Sequence, residues 1–394
     1  MNNMRFDVLI VGGGMVGASL ACALGDSRLN VGVLDSRAPS AVPVDDYDLR
    51  VSAITPASRA WFETLGAWEA IPPPRVAAVE AMQVWEDGAE IDFSAADIGA
   101  PCLAYIIENS MIQHALMQRL HAFTNVQALW PVEIERIEIS DAAAVVALKD
   151  GRRMQARLLI GADGADSVVR RAAGIAARER DLDQQGIVAT VRTELPHARC
   201  AYQRFLASGP LALLPLSAPN ACSIVWSVDT LRAEQLMMLD DDGFIAALQA
   251  AFGDRLGRIL SASRRQAFAL GLAHAQAYTA SRLALVGDAA HTVHPLAGQG
   301  VNLGLRDAAE LAALVLDAAR RGRDVGAHAR LRRYERARKG DNLGMIALTG
   351  GFKYLFGSSS PLARRVRAAG VNLVHAATPL KRAIMRRASG LEKI

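Results

Sequence analysis

The sequence predicts an α/β fold: a Rossmann-like nucleotide-binding domain interleaved with an antiparallel β-sheet domain (an α+β insert), then a helical C-terminus. Three observations carry this. Between Phe6 and Asp35, "FDVLIV", "GGGMVG", "ASLACALGD" and "NVGVLD" succeed one another as buried strand, turn, helix and buried strand, a β-α-β unit. From Gly186 to Val228 the texture changes to short strand candidates, "GIVATVRTE", "AYQRFLA", "LALLPLS" and "CSIVWSV", separated by turn-like stretches. "RLALVGDAAH" then returns to a buried strand of parallel type, and helices run from Gly304 to the end.

The remaining segments fit between these. Three successive prolines within Ile71–Arg75 make a stiff connector out of the first domain. "DDDGFIAALQAAFGDRL" has helical composition after the strand-rich middle. With 394 residues, 51% of them hydrophobic and 21% charged, the chain buries a large core and is not a disordered polymer. Cys22, Cys102, Cys200 and Cys222 form no C-x-x-C pair, which argues against a zinc ribbon or disulfide framework and suits a reducing cytoplasm. Val8–Leu24 imitates a signal-peptide core, but Asp7 and the interrupting glycines count against that, and no run reaches the roughly 18–20 apolar residues of a membrane span.

Gly12-x-Gly14-x-x-Gly17 follows a strand and opens a helix, and Asp35 ends the next strand. That context turns a weak glycine pattern into a dinucleotide fingerprint. Gly12 permits the tight turn, Gly14 lets backbone approach a pyrophosphate, and Gly17 lets helix pack on strand. Asp35 accepts from ribose hydroxyls. "LLIGADGADSVVR" is a second buried strand ending in an acid, Asp163-Gly164, with Asp166 or Ser167 as the cap of a following helix. "LALVGDAAH" is a third, ending at Gly287-Asp288.

His291 and His294 then precede "PLAGQGVNLGLRD". A metal would require further ligands and a second shell, and only Asp288 is near in sequence. A Walker loop requires Gly-Lys-Ser/Thr, which is absent. A proline-ended loop with Gly298 and Gly300 at a helix start instead offers bare N–H groups and positive potential to a flat ring whose edge becomes negative. A reduced flavin has that property.

Together these segments resemble the FAD-dependent aromatic hydroxylases of the p-hydroxybenzoate hydroxylase fold. "DVLIVGGGMVG", "GADGADSVVR" and "LVGDAAHTVHPLAGQGVNLGLRDA" match that family's three motifs in order and separation. "PLAGQGVNLG", "DLRVSAIT" and "YIIENSMIQHAL" are similar to the ubiquinone-biosynthesis hydroxylases. "GIVATVRTELPH", "LLPLSAPNACSIVWS" and "LRRYERARK" resemble the branch acting on 2-polyprenylphenol at ring position 5.

The resemblance implies bound FAD, with NAD(P)H and O2 as co-substrates, and hydroxylation of a polyprenylated phenol through a flavin C4a-hydroperoxide. It puts Gly12, Gly14 and Gly17 on the pyrophosphate, Asp35 on the ribose, Arg50 near the phosphate or ribityl region, and Gly287-Asp288 on the ribityl chain. Pro295 to Asn302, including Gly298, Gln299, Gly300 and Val301, would line the isoalloxazine. Asp163 and Gly164 would help hold FAD. Asn109 stands where many relatives carry Arg or Gln. No catalytic base emerges, and no metal is implied.

The implied domains are 1–71, 98–180 and 276–345 for FAD, 72–97 and 181–275 for substrate, and a helical region 346–394. The strands of the substrate domain offer Leu211, Leu213, Leu214, Ile224, Val225 and Trp226 either to a polyprenyl tail or to the sheet's own core. From Arg364 onward eight basic residues face the single acid Glu392. "PLKRAIMRRASGL" puts Leu380, Ala383, Ile384 and Ala388 on one helical stripe, suited either to an anionic membrane surface or to docking on protein, such as a partner in a ubiquinone-biosynthesis complex. No nucleic-acid motif accompanies the charge, and a homo-oligomer is compatible with the sequence. A prenyl-lipid reductase, a sister hydroxylase at position 1 or 6, and a non-catalytic FAD-containing scaffold are the alternatives.

Overall fold

The computed structural model describes residues 3–39, 41–43, 46–86, 89–294, 299–357 and 378–390. Its first sheet is built outward from Asn3–Val11, whose residues Val8 to Ile10 are fully buried. That strand pairs in parallel with Val31–Leu34 on one side and Arg153–Gly161 on the other. Val126–Leu129 and Leu283–Leu285 extend the parallel order at either end. Apolar residues on consecutive positions require cover on both faces, and the helices Met15–Ala23, Asn109–His121 and Gln299–Arg320 contribute to it. The α/β class, with an antiparallel sheet and a helical C-terminal part, is as the sequence implies.

A second sheet holds His291–Thr292, Gln266–Ala275, Ala177–Thr193, Ala221–Asp229, Gly209–Pro215, Cys200–Leu206, Ala81–Glu86 and Ala89–Ser94 in that spatial order. Its pairings are antiparallel except between Cys200–Leu206 and Ala81–Glu86. Ala177–Thr193 begins well before the apolar run at Gly186, because "ARERDLDQQ" is largely solvated and shows no apolar alternation. A small third sheet, Val51–Ile54, Ala104–Glu108 and Ala77–Val79, supplies Ala77, Val79 and Ile106 to an apolar cluster that also takes Ala201 and Leu216 from the second sheet's side.

Alternation along the strands decides which apolar residues form core. Leu211, Leu213, Ile224 and Trp226 point into a cluster closed by Phe244, Leu248 and Phe252 of the helix Asp241–Phe252. They are therefore unavailable to a prenyl tail, whereas Leu214 and Val225 project from the opposite face.

The helix Gln299–Arg320 begins ahead of Gly304. A Cβ on Gly304 would lie 2.7 Å from Val16 Cγ2 and 3.1 Å from the Gly287 Cα, so the glycine serves close packing inside the helix.

At the C-terminus, Thr378–Ala388 is helical. Met385 and Ser389 are buried and Lys381 pairs with Asp97 at 2.8 Å, while Ala383 and Ala388 are exposed. The Lys381 ammonium also lies 5.9 Å from the Phe93 ring centroid. The side chains of Leu380 and Ile384, and residues 358–377 and 391–394, lie outside the described part. Among the described residues no helix is long and apolar enough to cross a membrane.

Phe244 is fully buried between helix and sheet. Phe244→Ala is expected to lower the unfolding free energy by about 3–5 kcal/mol, read from the shift in denaturant midpoint.

Candidate flavin-binding site

The first turn is stitched between two strand ends. Gly12 N donates to Leu34 O at 2.7 Å, and Ala162 N donates to Val11 O at 2.7 Å. Gly12 sits at φ +107°, and a Cβ there would come within 2.2 Å of Ala162 O. Only glycine allows this approach, which brings Asp35 and Asp163 to either side of the turn. A Cβ on Gly17 would meet Gly12 O at 1.9 Å, so helix and turn touch backbone to backbone. Gly14 differs: a Cβ there would meet nothing within 4 Å. It caps Met15–Ala23 without a side chain, leaving the first-turn amides bare beside an open cradle.

Several acids and amides are engaged within the protein. Asp35 accepts from Gly13 N (2.7 Å) through Oδ2 and from Arg37 N (2.9 Å) through Oδ1, which aims the carboxylate while leaving further lone pairs. Asp163 accepts from Ser167 Oγ (2.6 Å) and Val169 N (3.2 Å), and Ser167 in turn caps the helix Val168–Ala172. Gly164 follows at φ +81° with open space where a Cβ would stand. Asn109 opens its helix and accepts from Ser52 Oγ at 2.6 Å. Gln113, one turn further, donates Nε2–H to Gly13 O at 3.0 Å and ties this helix to the dinucleotide turn. Sequence reasoning missed Gln113; its i+4 spacing from Asn109 was the available signal.

Asp288 follows Gly287, which has φ +60°, in a short 3-10 turn. Solvent reaches its side chain, yet protein crowds the carboxyl enough that burial raises its pKa against the opposing charges of His291 and Arg50. The exposed Arg50 guanidinium lies 5.7 Å from the Phe268 ring centroid.

Beneath Asp288 lies Asp307, fully buried on the helix Gln299–Arg320. It accepts from Gly287 N (3.1 Å), Arg338 Nε (2.8 Å) and Asn342 Nδ2 (3.2 Å), and His291 Nε2 is 2.5 Å away. Burial pushes its carboxyl up, but the attraction of His291 and Arg338 outweighs this and holds it below the usual carboxylate range. His291 is thus directed at a carboxylate inside the protein, and among the described residues no His, Cys, Asp and Glu cluster has metal-holding geometry.

Asn302 is equally engaged: Oδ1 accepts from Thr55 N (3.1 Å) and Ser58 Oγ (2.7 Å), and Nδ2 donates to Ala53 O (2.8 Å). It places the start of the helix. Gly300 and Val301 occupy that first turn. Pro295 and Gly298 lie outside the described residues, as does the side chain of Gln299.

Val16 joins the motifs, because a Cβ on either Gly287 or Gly304 would contact it. The Gly12–Gly17 turn, the Gly287-Asp288 turn and the helix Gln299–Arg320 therefore meet around Val16, with the Asp163 loop against Gly12. The open cradles at Gly14 and Gly164, bare helix amides and the exposed acid Asp288 fit FAD.

Residues 5–341 match the model of the FAD binding domain family. The chain is 38% identical over 390 residues to the ubiquinone hydroxylase UbiL of Rhodospirillum rubrum, covering 98% of this chain and 90% of that protein. The chain belongs to the FAD-dependent ubiquinone-hydroxylase family. It is 36% identical to 3-demethoxyubiquinol 3-hydroxylase of Escherichia coli over 99% of this chain and all of that one. The family fold is also that of p-nitrophenol 4-monooxygenase PnpA from Pseudomonas putida DLL-E4, at TM-score 0.80, 19% identity and 98% coverage of both chains. As a family member the protein is an FAD-dependent aromatic monooxygenase.

Asp307→Asn is expected to cost about 3–5 kcal/mol of stability at neutral pH, because it strands the buried Arg338 guanidinium. A depressed carboxyl stabilises fully above its unfolded value of about 3.9 and loses that contribution as pH falls through the folded value. Denaturant titrations across pH 2–7 should therefore show the wild type losing stability at the acid end, and the variant showing less of that loss.

Proposed function

We propose that the protein hydroxylates the aromatic ring of a polyprenylated phenol in ubiquinone biosynthesis, with 2-polyprenylphenol at position 5 as the specific reaction. The observation carrying the pathway is the likeness to ubiquinone hydroxylases along nearly the whole chain. The position rests on "GIVATVRTELPH", "LLPLSAPNACSIVWS" and "LRRYERARK". End-to-end likeness to the 3-demethoxyubiquinol 3-hydroxylase supports a sister position as the second reading.

In this reading Gly12, Gly14 and Gly17 serve the pyrophosphate, Asp35 the ribose, and Arg50 and Asp288 the ribityl side. The turn holding Asp163 and Gly164 flanks the cofactor, and Asn109 orients its helix beside it. Gly300 and Val301 present first-turn amides to the ring, with Pro295, Gly298 and Gln299 completing that seat; Asn302 holds it in place. The bound FAD, reduced by NAD(P)H, supplies activation of O2, one oxygen atom going to the ring and the other to water. The chain's part is to keep a cleft shielded from bulk water, hold the substrate ring, and offer helix amides to negative charge at the ring's edge. The FAD-binding segments 1–71, 98–180 and 276–345 and the substrate segments 72–97 and 181–275 form the two walls of that cleft. Residues 346–394 bring the basic C-terminus, for which contact with a membrane surface or a biosynthetic partner is part of the proposal.

Quinone intermediates in a strain lacking the gene test the assignment. Accumulated 2-polyprenylphenol supports position 5, a methoxylated intermediate moves the reaction to the sister position, and unaltered ubiquinone refutes both.

A second measurement concerns Asp288. A carboxyl raised by burial opposes folding at neutral pH, and that opposition fades as pH falls through its raised value. Asp288→Ala is therefore expected to hold or raise the apoprotein's melting temperature at pH 7 while weakening FAD binding about tenfold or more, measured by flavin fluorescence titration.

A further inference from the structure

We propose that Thr190 and Ser223 form the recognition point for the substrate's ring hydroxyl, on the face of the antiparallel sheet turned away from its helices. The proposal rests on the reading of the protein as a phenol hydroxylase and names the residues that would select a phenol.

The two residues are register partners on adjacent strands, Ala177–Thr193 and Ala221–Asp229. Their neighbours Ala189, Val191, Cys222 and Ile224 enter the helix-covered core, so alternation sends Thr190 and Ser223 to the other face. Thr190 is 6% exposed and Ser223 1%, and neither hydroxyl has a hydrogen-bond partner among the described residues. The Thr190 backbone is satisfied: its N–H donates to Ser263 Oγ at 2.9 Å and its carbonyl accepts from Ser263 N at 2.8 Å. Only the hydroxyls remain. An unpaired buried hydroxyl is destabilising, and valine would suit both strand positions better. Two such groups side by side are explained by a polar ligand atom that completes them.

Their surroundings place them on the cofactor side. Leu214, the register partner of Ser223 on the next strand, joins an apolar cluster that also takes Ala53. The Ala53 carbonyl is held by Asn302 at the start of the ring-seat helix. At the other end of the same face, the Phe268 ring lies against Gly186 and close to the Arg50 guanidinium, whose charge acts on Asp288. Between the hydroxyl pair and Phe268 stand the paired Val188 and Val225, an apolar support for an aromatic ring. A serine and a threonine each donate and accept, so a phenol O–H between them gives one hydrogen bond and receives another.

The test uses FAD-loaded wild type, Thr190→Val, Ser223→Ala, the double variant and Thr190→Ser. The probes are 2-geranylphenol and its O-methyl ether, titrated by the perturbation of flavin absorbance, alongside melting temperatures. Wild type should prefer the phenol over the ether about tenfold or more, since a site built for a hydroxyl rejects an analogue lacking its proton. Each single variant should lose most of that preference through weaker phenol binding, with ether binding unchanged, while Thr190→Ser retains it. Melting temperatures should stay level or rise, because an orphan hydroxyl is removed. Variants that keep the full preference overturn the inference, as does a fall in melting temperature with equal loss of both ligands. Wild type that binds both compounds equally overturns it alone; wild type that binds neither and oxidises no extra NAD(P)H sinks the phenol-hydroxylase reading as well.

Discussion

Asp307 is a carboxylate taken wholly out of water and kept ionised by the donors packed around it. A buried charge is tolerated only when neutralised and hydrogen-bonded on all sides. Its donors come from the Gly287 turn, from His291 and from Arg338 and Asn342 on the long helix His328–Gly357. Four contacts to one carboxylate tie those segments together. They hold the Gly287-Asp288 turn against the helix Gln299–Arg320, whose start Asn302 anchors to Thr55 and Ser58.

The motif residues divide into two kinds of work. Gly12, Gly17 and Gly304 exist for closeness, each at a point where a methyl group would strike another backbone or a valine. Gly14 and Gly164 exist for openness, with nothing near the missing side chain. The acids and amides mostly organise their own turns before any ligand is present: Asp35 holds Gly13, Asp163 holds Ser167, and Asn109 takes a bond from Ser52. Such prior engagement lowers the ordering cost of binding, because the cradle is shaped in advance. Asp288 is the exception, an acid whose desolvation outweighs the opposing charges of His291 and Arg50.

The antiparallel sheet separates stability from chemistry by its pleat. One face is closed by Phe244, Leu248 and Phe252 and behaves as an ordinary core. The other meets the small third sheet and carries Thr190 and Ser223, polar groups that a core would not retain. The C-terminal helix is linked to this assembly by Lys381 and Asp97, so part of the basic tail's charge is neutralised within the protein.

The sequence by itself determined the kinds of element and the local demands of the turns. Four-residue apolar runs ending in Gly or Asp, and glycines at fixed spacing, are short-range facts, written in residues that touch one another along the chain. The Asp35, Asp163 and Asp288 strand ends were therefore legible, as was the α/β class. Tertiary structure alone decided which faces became core, why Leu211 and Trp226 turn inward while Leu214 and Val225 do not, and which stripe of the last helix docks. It also decided the partners of Asp307 and the grip of Gln113 on Gly13, a contact between residues 100 positions apart. Long-range pairs of this sort leave no periodicity in a single chain, since their energy depends on distances that exist only after the sheets and helices have packed.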